Sequence, residues 1–511
     1  MATTAGETDV LISERVAGGI LPRVLNSFDM VAIFVAIVLF ITNSAVVTGA
    51  GAASYIFWIL GFLTFLIPGA IVTGQLGLMF PGEGSIYVWT HKAFGKFWGF
   101  FAGFCAWWPG VLVMVATGVA VVSFIQLLGS NHGFNWLTQP WQQGLVILVV
   151  LAFSMILSWL RFRVTQNWVN VVFIAYGGAI LLIGLAGVFW LLGGNAPSAD
   201  FSSASWSVGS PFDVNTKWTF YGLVILALLG IEVPLNMGVE ITDMRAITKY
   251  LFWGSIVVMA AYLIATFGVQ MTVPASAQGI PSGVAQAVQI GFGSAGTVLS
   301  DLVIVIFIGF FLFNTAVYNY SFGRLLFVSG LDQRLPAAMS KVNQNRVPWV
   351  AVLVQTLIAA LVAILAFIVP YAFGGSSDNA SALSAKVYNV LQAAVTVIWC
   401  VSMVILFVDV VIIRFKYRQQ FDAKQLTAPW VFYVCALIGL FASAVGIFVT
   451  FRYPWIPQLV GEGDWSLLLA VIAVVSLIVG AVVYFIGEVT VAKSSPPIAT
   501  GEGGAAPAAS D

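Results

Sequence analysis

The chain has 511 residues, 60% of them hydrophobic and 8% charged, with a mean hydropathy of +1.01. Soluble domains carry roughly 25% charged residues, so an ordinary water-soluble protein is excluded. Basic and acidic residues balance at 20 each, so nothing suggests nucleic acid.

A helix that crosses a bilayer needs about 20 mostly apolar residues. Twelve runs meet that length, at 29–48, 54–79, 97–128, 144–162, 167–192, 218–240, 248–272, 299–328, 347–370, 385–413, 428–451 and 466–488; they are numbered helix 1 to helix 12. Residues 1–28 contain Glu7, Asp9, Glu14, Arg15 and Arg23 and no apolar core followed by a small-residue cleavage site, so they read as a cytoplasmic N-terminal segment rather than a leader. Helices 1–10 (29–413) form the expected core and residues 414–490 add helices 11 and 12. The Pro/Gly-rich stretch 491–511 reads as a disordered cytoplasmic tail.

Asp29 opens helix 1, where an acid suits the positive helix end. The same helix carries Thr42, Asn43 and Ser44 inside an apolar run, with Gly49-Ala50-Gly51 close behind. This pattern suits either an interrupted helix or tight helix packing, since small residues let membrane helices approach closely. Between helices 2 and 3, Pro81, Gly82 and Gly84 break the chain. Tyr87, Trp89, Lys92 and Lys96 then suit an amphipathic interfacial segment, with Glu83 solvated. His91 and His132 are expected in loops, which excludes a histidine proton relay in the core.

Helix 6 holds the most informative feature. Glu232 lies in WTFYGLVILALLGIEVPLNMGVE, residues 218–240, between Gly230 and Pro234 and close to Asn236. A carboxylate near mid-membrane costs about 2.5–3.5 kcal/mol on insertion scales, and a proline removes a backbone donor at the same place. An acid, a helix breaker and an amide so close together mark a candidate binding site. Helices 1 and 6 would run in opposite directions, as an inverted repeat of five helices requires.

In helix 8, three or more of Asn314, Thr315, Tyr318 and Asn319 share one face. Such a stripe turns toward the bundle, either to bind substrate or to hydrogen-bond a neighbouring helix. Arg324 is expected to meet lipid headgroups or an acid such as Glu240 or Asp243; Asp301 and Asp409 are expected near interfaces. Cys105, Cys400 and Cys435 all lie in apolar runs without metal-site spacing and read as packed thiols, so no cofactor is implied. Phosphate-binding, zinc-protease and hydrolase motifs are absent, so no enzyme is expected.

With the N-terminus inside, the inner segments collect 17 of the 20 Lys and Arg residues. This is the bias expected of cytoplasmic loops, and it puts both termini on the cytoplasmic side. The lack of large extracellular segments fits a bacterial inner membrane.

Three segments together resemble the amino acid–polyamine–organocation (APC) superfamily of permeases. They are Pro81-Gly82-Glu83-Gly84-Ser85-Ile86-Tyr87 with Gly95, then Gly230-Ile231-Glu232 with Glu240, and Arg324-Leu325-Leu326-Phe327 through Val347-Pro348. The resemblance implies an all-α integral membrane protein of the LeuT type, with helices 1–5 and 6–10 as inverted repeats and helices 11 and 12 peripheral. It further implies a secondary transporter, exchanger or symporter, for amino acids or related amines, coupled to protons or sodium. Substrate contacts are expected from Thr42, Asn43, Ser44, Gly49, Gly51, Leu226, Gly230, Ile231, Asn314 and Tyr318. Glu232 and Glu240 are expected to couple or gate, with Glu232 carrying a proton or holding the unwound helix.

The chain departs from the family pattern at helix 1, where either Thr42-Asn43-Ser44 or Gly49-Ala50-Gly51 stands in for the usual glycine motif. Leu226 stands where some relatives have an aromatic lid, Gln75 where many have an acid and Met244 where a proline is common. A divergent subfamily is therefore expected. A membrane sensor that binds an amino acid without moving it is the alternative from another class. The sequence does not specify an oligomeric state.

Overall fold

The computed structural model describes residues 10–213, 216–369 and 380–494; residues 1–9 and most of the expected tail, 495–511, lie outside them. Among the described residues the fold is entirely helical apart from two isolated bridges. Eleven helices are long and apolar enough to cross a membrane. The bent pair Ser27–Val38 and Thr42–Ala50 makes the twelfth span, helix 1, with its halves inclined at 41°. The twelve expected spans are thus all found.

Helix 1 starts at a reciprocal cap, in which Asn26 Oδ1 accepts from the Asp29 amide and Asp29 Oδ2 accepts from the Asn26 amide. Asp29 also accepts from Arg163 Nη1 at 2.5 Å and Asn170 Nδ2 at 2.7 Å, which ties this end to helix 5 (Phe162–Leu192). The first half of helix 1 packs on Val233–Asn236 of helix 6, and its second half packs on Thr219–Leu228. The two interrupted helices therefore run antiparallel, as inverted repeats require. Helix 8 (Gly293–Leu331) packs on both, helix 10 (Ala382–Lys416) lies against helix 6, and helix 3 (Lys96–Asn131) packs on helices 8 and 10. Helix 12 (Glu462–Thr490) buries only 22% of its most apolar window and turns its remaining side chains to lipid.

The N-terminal helix Ile12–Ile20 and the ends of helices 8 and 12 share one face. Ser13 donates to Asp332 from both its amide and its hydroxyl at 2.8 Å, and Arg334 pairs with Glu488. This is called the terminal face. On the opposite face, His132 and Asn131 at the end of helix 3 bond Asp301 of helix 8 at 2.8 and 2.9 Å.

Three expectations about the segment after helix 2 are corrected. Ser85–Phe94 is a helix, but Ser85 to Ala93 are all buried, packed against helices 3 and 10 rather than lying on the membrane surface. Trp89 Nε1 donates to the Phe80 carbonyl, Lys92 pairs with Glu14 at 2.8 Å, and His91 is a helical, buried residue. Glu83 is buried instead of solvated. Asp409, expected near the inner end of helix 10, is fully buried and bonded to Thr90 Oγ1 at 2.5 Å. Periodicity reports only that a segment has two faces; it does not distinguish a lipid surface from a protein groove.

Candidate functional site

Helix 1 unwinds at Leu39–Ile41, immediately before Thr42. An unwound turn in an apolar interior exposes backbone groups that must find partners. Four side chains supply them. Asn314 Nδ2 donates to the Ala36 carbonyl at 2.7 Å and Tyr318 Oη to the Ile37 carbonyl at 2.8 Å. Tyr176 Oη accepts from the Ile41 amide and donates to the Leu39 carbonyl, both at 3.0 Å. Tyr262 Oη accepts from the Phe40 amide at 3.1 Å and faces the Val38 and Ala227 carbonyls at 2.9 and 3.1 Å. Since Ala227 belongs to helix 6, a single phenol joins both interruptions.

Helix 6 stops at Leu228, and only short turns at Val233–Asn236 and Gly238–Glu240 continue it. Gly230 makes the reversal with φ +100°, and a Cβ there would stand 2.4 Å from Ile37 Cγ2 and 3.3 Å from the Trp399 ring. Only glycine meets both demands. Two residues on, Glu232 is buried; its Oε1 accepts from Trp399 Nε1 at 2.8 Å and its Oε2 has no hydrogen-bond partner.

Between the two breaks lies a cavity of about 20 Å³ lined by Asn43, Leu226, Tyr318, Gln392 and Trp399, among others. Its volume suits about one water. Beyond it, toward the face opposite the termini, opens a vestibule of about 400 Å³ bordered by Thr42, Ser123, Ser384 and Tyr388. The terminal face is sealed. Gly84 N donates to the Asn236 carbonyl at 3.0 Å and Val239 N to Glu83 Oε2 at 3.2 Å. Val24 N and Leu25 N donate to the Glu240 carbonyl at 2.9 and 3.0 Å, and Thr242 N to the Leu25 carbonyl at 2.9 Å. Arg324 Nε donates to Glu240 Oε1 at 2.9 Å, which selects the acid among the partners expected for that arginine. A vestibule therefore lies on one side of the two breaks, and hydrogen bonds and an ion pair close the other.

The structure gathers Asn43, Leu226, Gly230, Ile231, Glu232, Asn314 and Tyr318 around the two breaks, while Thr42 faces the vestibule. Ser44 turns its hydroxyl back to the Ile41 carbonyl at 2.6 Å. Gly49 and Gly51 lie farther along the second half, against Phe220 and Ser205, and do not form the break. In the helix 8 stripe, Asn314 and Tyr318 reach helix 1. Thr315 bonds Thr117 and Asn319 bonds Ser154 and Thr356, so the stripe serves its neighbouring helices. Sequence reasoning missed Tyr176, Tyr262, Gln392 and Trp399. A tyrosine at the middle of a span, far from either aromatic belt, was the available signal for the first two.

A family model described as amino acid permease matches residues 25–479. A Lactococcus lactis protein described as "Probable agmatine/putrescine antiporter AguD" is 24% identical over 348 residues, covering 67% of this chain and 72% of that one. The gamma-aminobutyric acid permease of Escherichia coli is 25% identical over 377 residues, 70% of this chain and 75% of its own. Among solved structures, the manganese transporter of Eremococcus coleocola superposes with a TM-score of 0.58 at 15% identity, covering 91% of this chain and 94% of that one. At that identity the likeness concerns the fold alone, and it supports the LeuT-type arrangement expected above. The sequence match across nearly the whole membrane core, on a fold with two antiparallel broken helices, shows that the chain belongs to the amino acid permease family of integral membrane transporters.

Proposed function

We propose that this transporter carries an amino acid or a related amine by alternating access, with the ammonium group drawn to Glu232. The observation that carries this reading is the chemistry of the unpaired atoms around the two helix breaks, of which Gln392 lines the small cavity. Glu232 Oε2, Gln392 Oε1 and Asn314 Oδ1 are buried acceptors without donors, and no Lys or Arg lines the cavity. A ligand that brings N–H donors and positive charge satisfies them; buried polar groups left unpaired cost about 1–3 kcal/mol each. The relatives described as an agmatine/putrescine antiporter and a gamma-aminobutyric acid permease support an amine-bearing substrate.

The coupling ion in this reading is a proton, or a second amine in exchange, rather than sodium. Carbonyls freed at a helix break are the usual sodium ligands. Here the Ala36, Ile37 and Leu39 carbonyls already accept from Asn314, Tyr318 and Tyr176. The excess of basic residues on the terminal face supports a cytoplasmic location for that face and for both termini. The vestibule then opens to the outside. A bacterial inner membrane fits this arrangement.

The test is uptake of radiolabelled putrescine, agmatine, gamma-aminobutyrate and aromatic amino acids into proteoliposomes. Each is measured with and without the same compound inside, and with imposed proton or sodium gradients. Accumulation of an amine driven by internal amine or by a proton gradient is expected. Measurable binding without flux of any compound would instead establish a sensor.

A further inference from the structure

The seal at the terminal face contains a charge imbalance that hydrogen bonding alone does not explain. Arg324, Glu83 and Glu240 all have side chains with 0% exposure. The same nitrogen, Arg324 Nε, lies 2.9 Å from Glu240 Oε1 and 3.8 Å from Glu83 Oε1. One guanidinium thus faces two carboxyl groups. Were both ionised, an uncompensated negative charge would sit where no water reaches, an arrangement that buried sites avoid by taking up a proton.

Among the described residues, no second cation pairs with either acid. From helix 8 come Arg324 itself and the Tyr320 carbonyl, which accepts from Arg324 Nη1 at 2.9 Å. The Phe162 and Tyr320 rings lie 5.0 and 6.0 Å from the guanidinium. Val24 and Leu25 contribute backbone amides to the Glu240 carbonyl, and Val239 gives one amide to Glu83 Oε2. The neighbouring charges are engaged elsewhere, Lys92 with Glu14 and Arg163 with Asp29. No donor group pairs with Glu83 Oε1 or Glu240 Oε2, and the two carboxyl groups lie within hydrogen-bonding reach of each other.

We propose that Glu83 and Glu240 together hold one proton beside Arg324, bound while the terminal face is sealed and released when it opens. The inference rests on the alternating-access reading, because it requires that the seal open. Glu83 lies between helices 2 and 3, and burial, followed by the adjacent Glu240 carboxylate, pushes its carboxyl well above the usual range despite the opposing effect of Arg324. The sign follows directly. A carboxyl whose affinity for a proton is higher in the sealed state favours that state at low pH. The advantage is lost as pH rises from the ordinary carboxylate range through the raised value. Because Glu83 follows helix 2, Glu240 follows the helix 6 break and Arg324 lies on helix 8, parting any of them exposes the pair to water. In water both acids ionise.

The test needs no substrate. Amide hydrogen exchange of the peptide spanning 236–242 is followed in purified full-length protein from pH 5.5 to 8.5, corrected for the intrinsic pH dependence of exchange. In the wild type, protection is expected to fall with rising pH by up to about tenfold per unit, the limit for one linked proton. Glu83→Gln, which keeps shape and charge neutrality, should give a flat profile, and Glu240→Gln a second flat profile. A wild-type profile that is itself flat overturns the proposal even where both variants misfold. So does an unchanged slope in a folded Glu83→Gln. A failure to transport any amine, with the exchange profile as expected, would refute the substrate reading and leave the proton site standing.

Discussion

Gly230→Ala probes the point where the two interrupted helices touch. The backbone at Gly230 has φ +100°, and the added methyl would stand 2.4 Å from Ile37 Cγ2, an atom on the last intact turn of helix 1. Strain at such a φ costs about 1–3 kcal/mol and overpacking a well-filled site another 1–3, so the substitution should destabilise the protein by about 2–6 kcal/mol. The two contributions separate in a double-mutant cycle. Ile37→Ala removes Cγ2 and costs about 2–5 kcal/mol alone, through the cavity it leaves. In the double variant the steric share disappears, so the combined loss should fall short of the sum by about 1–3 kcal/mol. Reversible unfolding in mixed detergent micelles measures all four corners. Additivity within about 0.5 kcal/mol would show that helix 6 does not rest on helix 1 at this glycine.

Glu232→Gln keeps the Trp399 contact but cannot ionise. If Glu232 carries the coupling proton, its uptake should lose the pH dependence of the wild type, and an unchanged profile with intact transport removes that role. Tyr262→Phe retains the stacking on Trp58, whose ring lies 4.1 Å away. It strips partners from the Phe40 amide and from one of the two carbonyls that compete for the hydroxyl proton. At about 1–3 kcal/mol per orphaned group the loss should be about 2–6 kcal/mol, and a change below about 0.5 in the same unfolding assay would show that water replaces the phenol. Replacing external sodium with choline at constant pH should leave uptake unchanged, because the freed carbonyls of helix 1 are already occupied; a sodium-dependent rate would contradict that assignment.

The spans were legible because hydrocarbon thickness imposes a length that few other constraints mimic, and the helix 6 break announced itself through Gly230, Glu232 and Pro234. The sequence left the helix 1 break between two candidates, Thr42-Asn43-Ser44 and Gly49-Ala50-Gly51. Leu39, Phe40 and Ile41 carry no breaker, and the unwinding is stabilised by Tyr176, Tyr262, Asn314 and Tyr318, all at least 130 residues away in the chain. Local propensity cannot report a conformation whose partners are so distant. The pairing of Arg324 with Glu240 was among the alternatives offered by charge alone. Glu83 joined them unforeseen, since Pro81-Gly82-Glu83-Gly84 has the composition of an exposed turn and is buried only because the 236–242 segment lies over it.

The hydrogen bonds that hold the helix 1 break all reach its main chain. Every amino acid except proline offers the same amides and carbonyls, so these hydrogen bonds do not depend on the identity of residues 36–41, whose side chains are constrained separately by burial. Leu39, Phe40 and Ile41 are buried, so substitution there is limited by packing alone, whereas the phenols and amides on helices 5, 7 and 8 are fixed by the main chain they hold. Such a division lets a lineage remodel what the cavity recognises while leaving the machinery that shapes it untouched. New substrates would then come from altered side chains on a constant backbone.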